Sequence, residues 1–136
     1  MRALGLAIVL AASMAAGMTA TAVVASERVE RFERSLQMLA PAERLEQLCD
    51  YTAMTRIRSE KKDFRPDRAV ANAMAEPVTN GDMLQVTGGA FRSHKKWYAL
   101  TYRCAATPDR MKVLEFTYTV GEEIPEAKWA SFGLWQ

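Results

Sequence analysis

Apolar residues recur along this chain in two different periods, and the change from one to the other divides it into a helical half and a β half. Val29, Phe32, Leu36 and Leu39 follow helical spacing, with Ser26 placed to cap the helix and Glu30 four residues on, one more than a strict capping box has. Pro41 then opens a second helix, where its missing N–H costs nothing and Glu43 suits the positive end of the dipole. This helix is predicted from Pro41 to about Ser59. Leu45, Cys49, Ala53 and Ile57 repeat every fourth residue in it, with Leu48 and Thr52 adjoining, so Cys49 falls within the apolar stripe.

The pattern breaks at Lys61 to Arg68, a charged connector in which Pro66 disfavours helix at Arg65. Strands are expected beyond it. Ala69 to Met74 is a short apolar run with Asn72 inside it, and Pro77 and Asn80-Gly81 mark a turn into a strand over Met83 to Arg92. Gly88-Gly89 interrupts that strand and predicts a bulge or bend. A Gly pair can also cradle phosphate, but nothing here has the G-x-x-x-x-G-K-[ST] form, so backbone geometry is the preferred reading.

After a polar turn over Ser93 to Lys96, the segment Trp97 to Ala105 alternates so that Tyr98, Leu100, Tyr102 and Cys104 share a face. Thr107-Pro108-Asp109-Arg110 is a turn signal. The strand predicted over Lys112 to Val120 places Leu114, Phe116, Tyr118 and Val120 on one face, with Glu115, Thr117 and Thr119 opposite. Gly121 and Pro125 lead into a short helix over Glu126 to Phe132, then Leu134-Trp135-Gln136. Trp129, Phe132 and Trp135 lie three apart, which closes the end of a core; a carbohydrate-stacking surface is the alternative. The whole pattern predicts an α+β domain: two N-terminal helices packed on one face of a small antiparallel sheet of about four strands, with a short C-terminal helix.

Composition adds an address. Between Arg2 and Glu27 no residue is charged, and Ala3 to Ser26 is built of Ala, Gly, Ser, Thr, Met and aliphatics. A charged start, an apolar centre and small residues at Ala20-Thr21-Ala22 or Val23-Val24-Ala25 fit a secretory signal peptide over residues 1–25. The alternative is a retained anchor, since about 20 apolar residues suffice to span a bilayer. Small and hydroxylated residues weaken its transfer energy, which favours cleavage. Either way the domain lies outside, in a periplasmic or secreted location, with membrane contact only through an uncleaved N-terminal segment. Residues 26–136 are one domain's worth of chain. Without Arg2 the formal charge falls from +2 to +1, which argues against a nucleic-acid partner.

That compartment gives meaning to the two cysteines. Cys49 and Cys104 are predicted to pair, closing a loop of 55 residues. The competing reading is a catalytic or metal-binding thiol. It lacks a C-x-x-C spacing, and with one His in the chain no set of four Cys and His ligands for zinc can form. No metal and no cofactor is expected.

One set of segments is familiar as a group: Leu39-Ala40-Pro41-Ala42-Glu43-Arg44-Leu45-Glu46-Gln47-Leu48-Cys49-Asp50, with Ala53-Met54 and Arg56-Ile57 behind it. Phe64-Arg65-Pro66-Asp67-Arg68, Ala90-Phe91-Arg92-Ser93, Trp97-Tyr98-Ala99-Leu100-Thr101-Tyr102-Arg103-Cys104, Phe116-Thr117-Tyr118 and Gly121-Glu122-Glu123-Ile124-Pro125 extend it. On these motifs the chain resembles an exported bacterial family, domain of unknown function 930. The resemblance implies a cell-envelope location and paired cysteines, and brings no activity, substrate or catalytic residue.

Candidate chemistry is sparse. His94 sits between Ser93 and Lys95-Lys96 in an expected turn, which reads as a solvated His rather than a catalytic one, and no G-x-S-x-G is present. Asp50, Asp63, Asp67 and Glu115 could supply the two carboxylates of a small envelope hydrolase, although Glu115 is more simply a cross-strand partner for Arg103. No calcium-loop pattern occurs.

Charge is more informative. Arg56, Arg58, Lys61, Lys62, Arg65 and Arg68 outnumber the acids of the same segment by three, and Arg92, Lys95 and Lys96 add three more cations. Ordinary solvated charges at element ends account for this. A cationic patch flanked by Trp97 and Phe64, holding an anionic envelope component or envelope protein, is the functional alternative. The expected function is therefore that of a non-catalytic envelope binding or structural domain, with the hydrolase, or an inhibitor of an envelope enzyme, as alternatives.

Overall fold

The computed structural model describes residues 19–136, so the expected signal segment lies largely outside the described residues. The chain divides into two units, residues 1–32 and 33–136. Helix α1 (Thr19–Gln37) begins in the first unit, where Val23, Val24 and Val29 are exposed. It starts well before Ser26, which is an interior helical residue rather than a cap. The Ala-rich segment from Ala20 to Ala25 contains no helix breaker, so the helix propagates through it.

In the second unit, Leu36 at the end of α1 is 1% exposed. Helix α2 (Pro41–Glu60) follows, with Pro at its first turn and Glu43 as its acidic residue there. Leu45, Leu48, Cys49, Ala53 and Ile57 are buried along one stripe, as their spacing predicts. Five strands come next: β1 (Pro66–Val70), β2 (Val78–Asn80), β3 (Met83–Ser93), β4 (Lys96–Ala106) and β5 (Val113–Glu123). They form one antiparallel sheet of order β1-β3-β4-β5, with short β2 paired to the other end of β3. A single turn of helix, α3 (Glu126–Trp129), and a 3-10 turn (Ala130–Phe132) complete the α+β architecture.

The first strand begins earlier than the apolar run suggests. Pro66, expected in a connector, is buried at the head of β1, and Ala71 to Ala75 leave the ladder. Pro lacks a donor for the ladder, so the first position of an edge strand is one of the few it can fill. The Gly pair behaves as predicted: the β3–β4 register shifts between Val86 and Gly89. A Cβ on Gly88 would come within 2.3 Å of the Ala75 nitrogen, so only glycine lets the Met74-Ala75 backbone approach, and Met74 N–H donates to Gly88 O at 2.7 Å. Ser93 pairs with Lys96 across a two-residue loop in which His94 and Lys95 have φ of 51° and 64°, the left-handed pair that matches strand twist.

Alternation gives the sheet an inner and an outer face. Leu84, Val86, Phe91, Leu100, Tyr102, Cys104 and Phe116 point inward and are buried, with α2 packed on this side. Leu114, expected among them, is 66% exposed. The register shifts between Glu115 opposite Ala105 and Val113 opposite Ala106, which leaves Leu114 as the extra residue of a bulge and turns it out of the alternation.

Outside, Ala90 and Trp97 are covered by Ile124, Trp129 and Leu134, with Val70, Ala73 and Phe132 around them. Trp97 Nε1 donates to Trp135 O at 2.7 Å and Trp129 Nε1 to Ile124 O at 2.9 Å, so both buried indoles are satisfied. Trp129 thus closes a core as its spacing suggests, while Trp135 stays 47% exposed.

Candidate functional site

The disulfide is the fixed point of the inner face. Cys49 on α2 and Cys104 on β4 are bonded, with Cα atoms 6.0 Å apart, and no cysteine is free. Both are fully buried because each lies on the apolar stripe of its own element. One residue further along α2, Asp50 is buried at 4% exposure and accepts a 2.7 Å hydrogen bond from the Tyr102 hydroxyl. Burial drives the Asp50 carboxyl up to about 7, against the lowering effect of that bond, and neighbouring Glu46 adds to the rise. Burial likewise raises Tyr102, with Asp50 contributing, so the tyrosine stays a donor. The sequence offers Asp50 as a hydrolase candidate and does not reveal this pair; the usable signal is an inward-facing Tyr hydroxyl that needs a buried acceptor.

The hydrolase carboxylates do not share a site. Asp67 accepts two bonds from Arg92, at 3.0 and 2.7 Å, and is thereby held below the ordinary range. Glu115 lies opposite Ala105 on the outer face, on the other side of the sheet from Asp50, and Asp63 is exposed in the turn after α2. His94 is exposed in the β3–β4 loop. Among the described residues, no two of the four carboxylates share a hydrogen-bond or ion-pair partner, and no group of three or more His, Cys, Asp or Glu could hold a metal ion. Arg103 does not meet Glu115 as expected. It stands opposite Thr117 and donates to Met83 Sδ at 3.3 Å.

The structure brings the two cationic segments together. Strand β1 pairs with the end of β3, and Arg65 N–H donates to Ser93 Oγ at 2.8 Å, so the segment after α2 adjoins the β3–β4 turn. Within this end the nine expected cations divide. Arg56 pairs with Glu60, Arg58 donates to Pro66 O, Arg92 is clamped by Asp67, and Lys96 pairs with Glu123 at 3.2 Å. Arg65 and Arg68 donate to nearby backbone carbonyls. Lys61, Lys62, Arg65 and Lys95, and with them Arg58 and Arg68, are exposed and make no salt bridge among the described residues.

The expected aromatic flanks are different in kind. Trp97 is fully buried, with the Arg92 guanidinium 6.0 Å from its ring centroid, because the C-terminal segment covers it. Phe64 is half-buried against Phe91 and Tyr98, at centroid distances of 5.3 and 5.0 Å. It anchors the connector to the sheet rather than presenting a ring to solvent.

Two other arginines hold the opposite end. Arg44 donates to Leu36 O, Leu39 O and Asp109 O, and Arg110 to Pro41 O, Gly81 O and Asp82 Oδ1. Together they tie the α1–α2 turn to the loop between β4 and β5. Among the described residues no helix is long and apolar enough to cross a membrane.

An α+β domain stapled from helix to sheet is what these contacts define. The pattern of the family described as Domain of Unknown Function (DUF930) matches residues 36–134, and the chain belongs to that family. No curated protein and no solved structure matches it. The match begins at Leu36 and ends at Leu134, the first and last buried residues of the second unit. A buried disulfide is compatible with a non-cytoplasmic protein.

Proposed function

We propose that this protein is a non-catalytic envelope domain, exported by its N-terminal segment, that binds an anionic envelope component through Lys61, Lys62, Arg65 and Lys95. The observation that carries the reading is the junction of β1 with the β3–β4 turn, which gathers these exposed cations at one end of the sheet. Of the carboxylates nearby, Asp67, Glu60 and Glu123 are already bonded to Arg92, Arg56 and Lys96, and Asp63, exposed in the turn after α2, offsets part of the remaining positive charge. Exposed cations of this kind suit a phosphate-bearing surface rather than an enclosed small molecule.

Sedimentation with vesicles of phosphatidylglycerol and phosphatidylethanolamine tests this. Binding is expected at low ionic strength and should be lost between about 0.1 and about 1 M salt. It should also fall sharply when Lys61, Lys62 and Lys95 become Ala. Binding that is insensitive to salt or to these substitutions overturns the patch.

A further inference from the structure

We propose a second, independent site: the uncovered half of the outer face binds a carboxylated glycan, with Arg103 holding the carboxylate. Gln85, Arg103 and Thr117 stand directly opposite one another across β3, β4 and β5, and Thr101 faces Thr119 in the next outward row. Outward neighbours on such a ladder lie about 5 Å apart across strands, close enough for one ligand to span several of them. Two adjoining depressions of about 380 and 390 Å³ share Arg103 and Thr117, and Thr87 lines the second. Each falls in the range of small-ligand sites.

The chemistry of this surface selects the ligand. Arg103 has five N–H donors, and its one side-chain partner among the described residues is the thioether of Met83, a weak acceptor. Glu115, which lines the first depression together with Arg103, is one row away opposite Ala105 and forms no ion pair with it. A planar fork without a carboxylate partner fits a carboxylate bidentately. The surrounding threonine hydroxyls and the Gln85 amide both donate and accept, which suits a polyhydroxylated ligand. Strand β4, which carries Arg103, is paired on both sides, so a peptide cannot add to it as a strand. Apart from Met83 at the margin, the outward side chains of the two rows offer nothing to hold an acyl chain.

The test is amide NMR of the full chain, titrated with a uronic-acid oligosaccharide, a neutral oligosaccharide of the same length, and inorganic phosphate. The uronate ligand should shift Thr101, Arg103 and Thr117; the neutral sugar should bind at least roughly tenfold more weakly, as a lost charge-assisted bond requires, and phosphate more weakly because it lacks the sugar hydroxyls that meet Gln85 and the threonines. Arg103→Gln should remove that preference, Arg103→Lys should restore it in part, and Thr117→Val should weaken binding with the charge intact. Vesicle binding through Lys61, Lys62 and Lys95 should be unchanged in Arg103→Gln, which separates the two sites. Equal binding of the neutral sugar or phosphate, shifts confined to the Lys61 to Arg65 segment, no shifts at all, or wild-type affinity in Arg103→Gln would each overturn the proposal.

Discussion

The two faces of this sheet are treated differently although their strands alternate in the same way. The inner face is dry at its centre: α2 covers it, the Cys49–Cys104 bond crosses it, and its one buried acid, Asp50, is matched to Tyr102. The outer face is divided. Around Trp97 it is sealed by Ile124, Trp129 and Leu134, and from Thr101 onward it lies open, with Arg103 and threonines pointing outward. Four residues along a single strand separate a fully buried Trp from an exposed Thr of the same parity. Polar alternation therefore marks a face that can be wet. Whether it is wet depends on how far another part of the chain reaches.

The comparison can be broken most severely at the staple. Replacing both Cys49 and Cys104 with Ala should lower unfolding free energy by about 4 kcal/mol, the chain-entropy value for a loop of this size, measured by urea denaturation. A loss under about 1 kcal/mol would mean that packing of α2 alone holds the inner face.

Asp50 provides the next largest effect. Its folded pKa of about 7 lies above the ordinary carboxylate value, so the folded state binds the proton more tightly than the unfolded chain does. The stabilisation from this proton is complete below about pH 4 and is lost as pH rises through about 7. Stability should therefore fall across that window by at most roughly 1.4 kcal/mol per pH unit, and Glu46, also raised by burial, acts in the same direction. Asp67 has the opposite sign, since its depressed pKa gives stability that is lost below about pH 4. Asp50→Asn should flatten the profile between about pH 4 and 7. An unchanged slope would show that Asp50 is not the titrating group.

On the sealed half of the outer face, Trp97→Phe removes the bond to Trp135 O and leaves unfilled volume. A loss of about 1 to 3 kcal/mol is expected. On the open half, Thr101→Ala or Thr117→Ala should change stability by no more than about 0.5 kcal/mol. If the Thr101 change cost as much as the Trp97 change, the face would not be divided where the structure divides it.

Much of this fold is legible from spacing. The α2 stripe, the β4 alternation and the Gly88-Gly89 bulge all come from local rules that tertiary context did not override, and the disulfide follows from there being two cysteines to pair. The departures share a cause. Pro66 became a strand residue because β3 offered a partner edge at Ser93, Leu114 was turned out by a bulge, and Arg103 missed Glu115 because register set it opposite Thr117. Register and bulges depend on contacts between segments distant in sequence, and no window along one strand contains them.

The cationic patch was half legible for the same reason. Its residues can be counted in the sequence, but Asp67 and Glu123 reach Arg92 and Lys96 only in the folded sheet. Sequence alone determined which side chains face the same way, because periods of 3.6 and 2 are properties of a local backbone. Only the tertiary structure decided which of those faces is covered, which charges are neutralised and which arginine is left with open donors, since each outcome depends on what the rest of the chain places opposite.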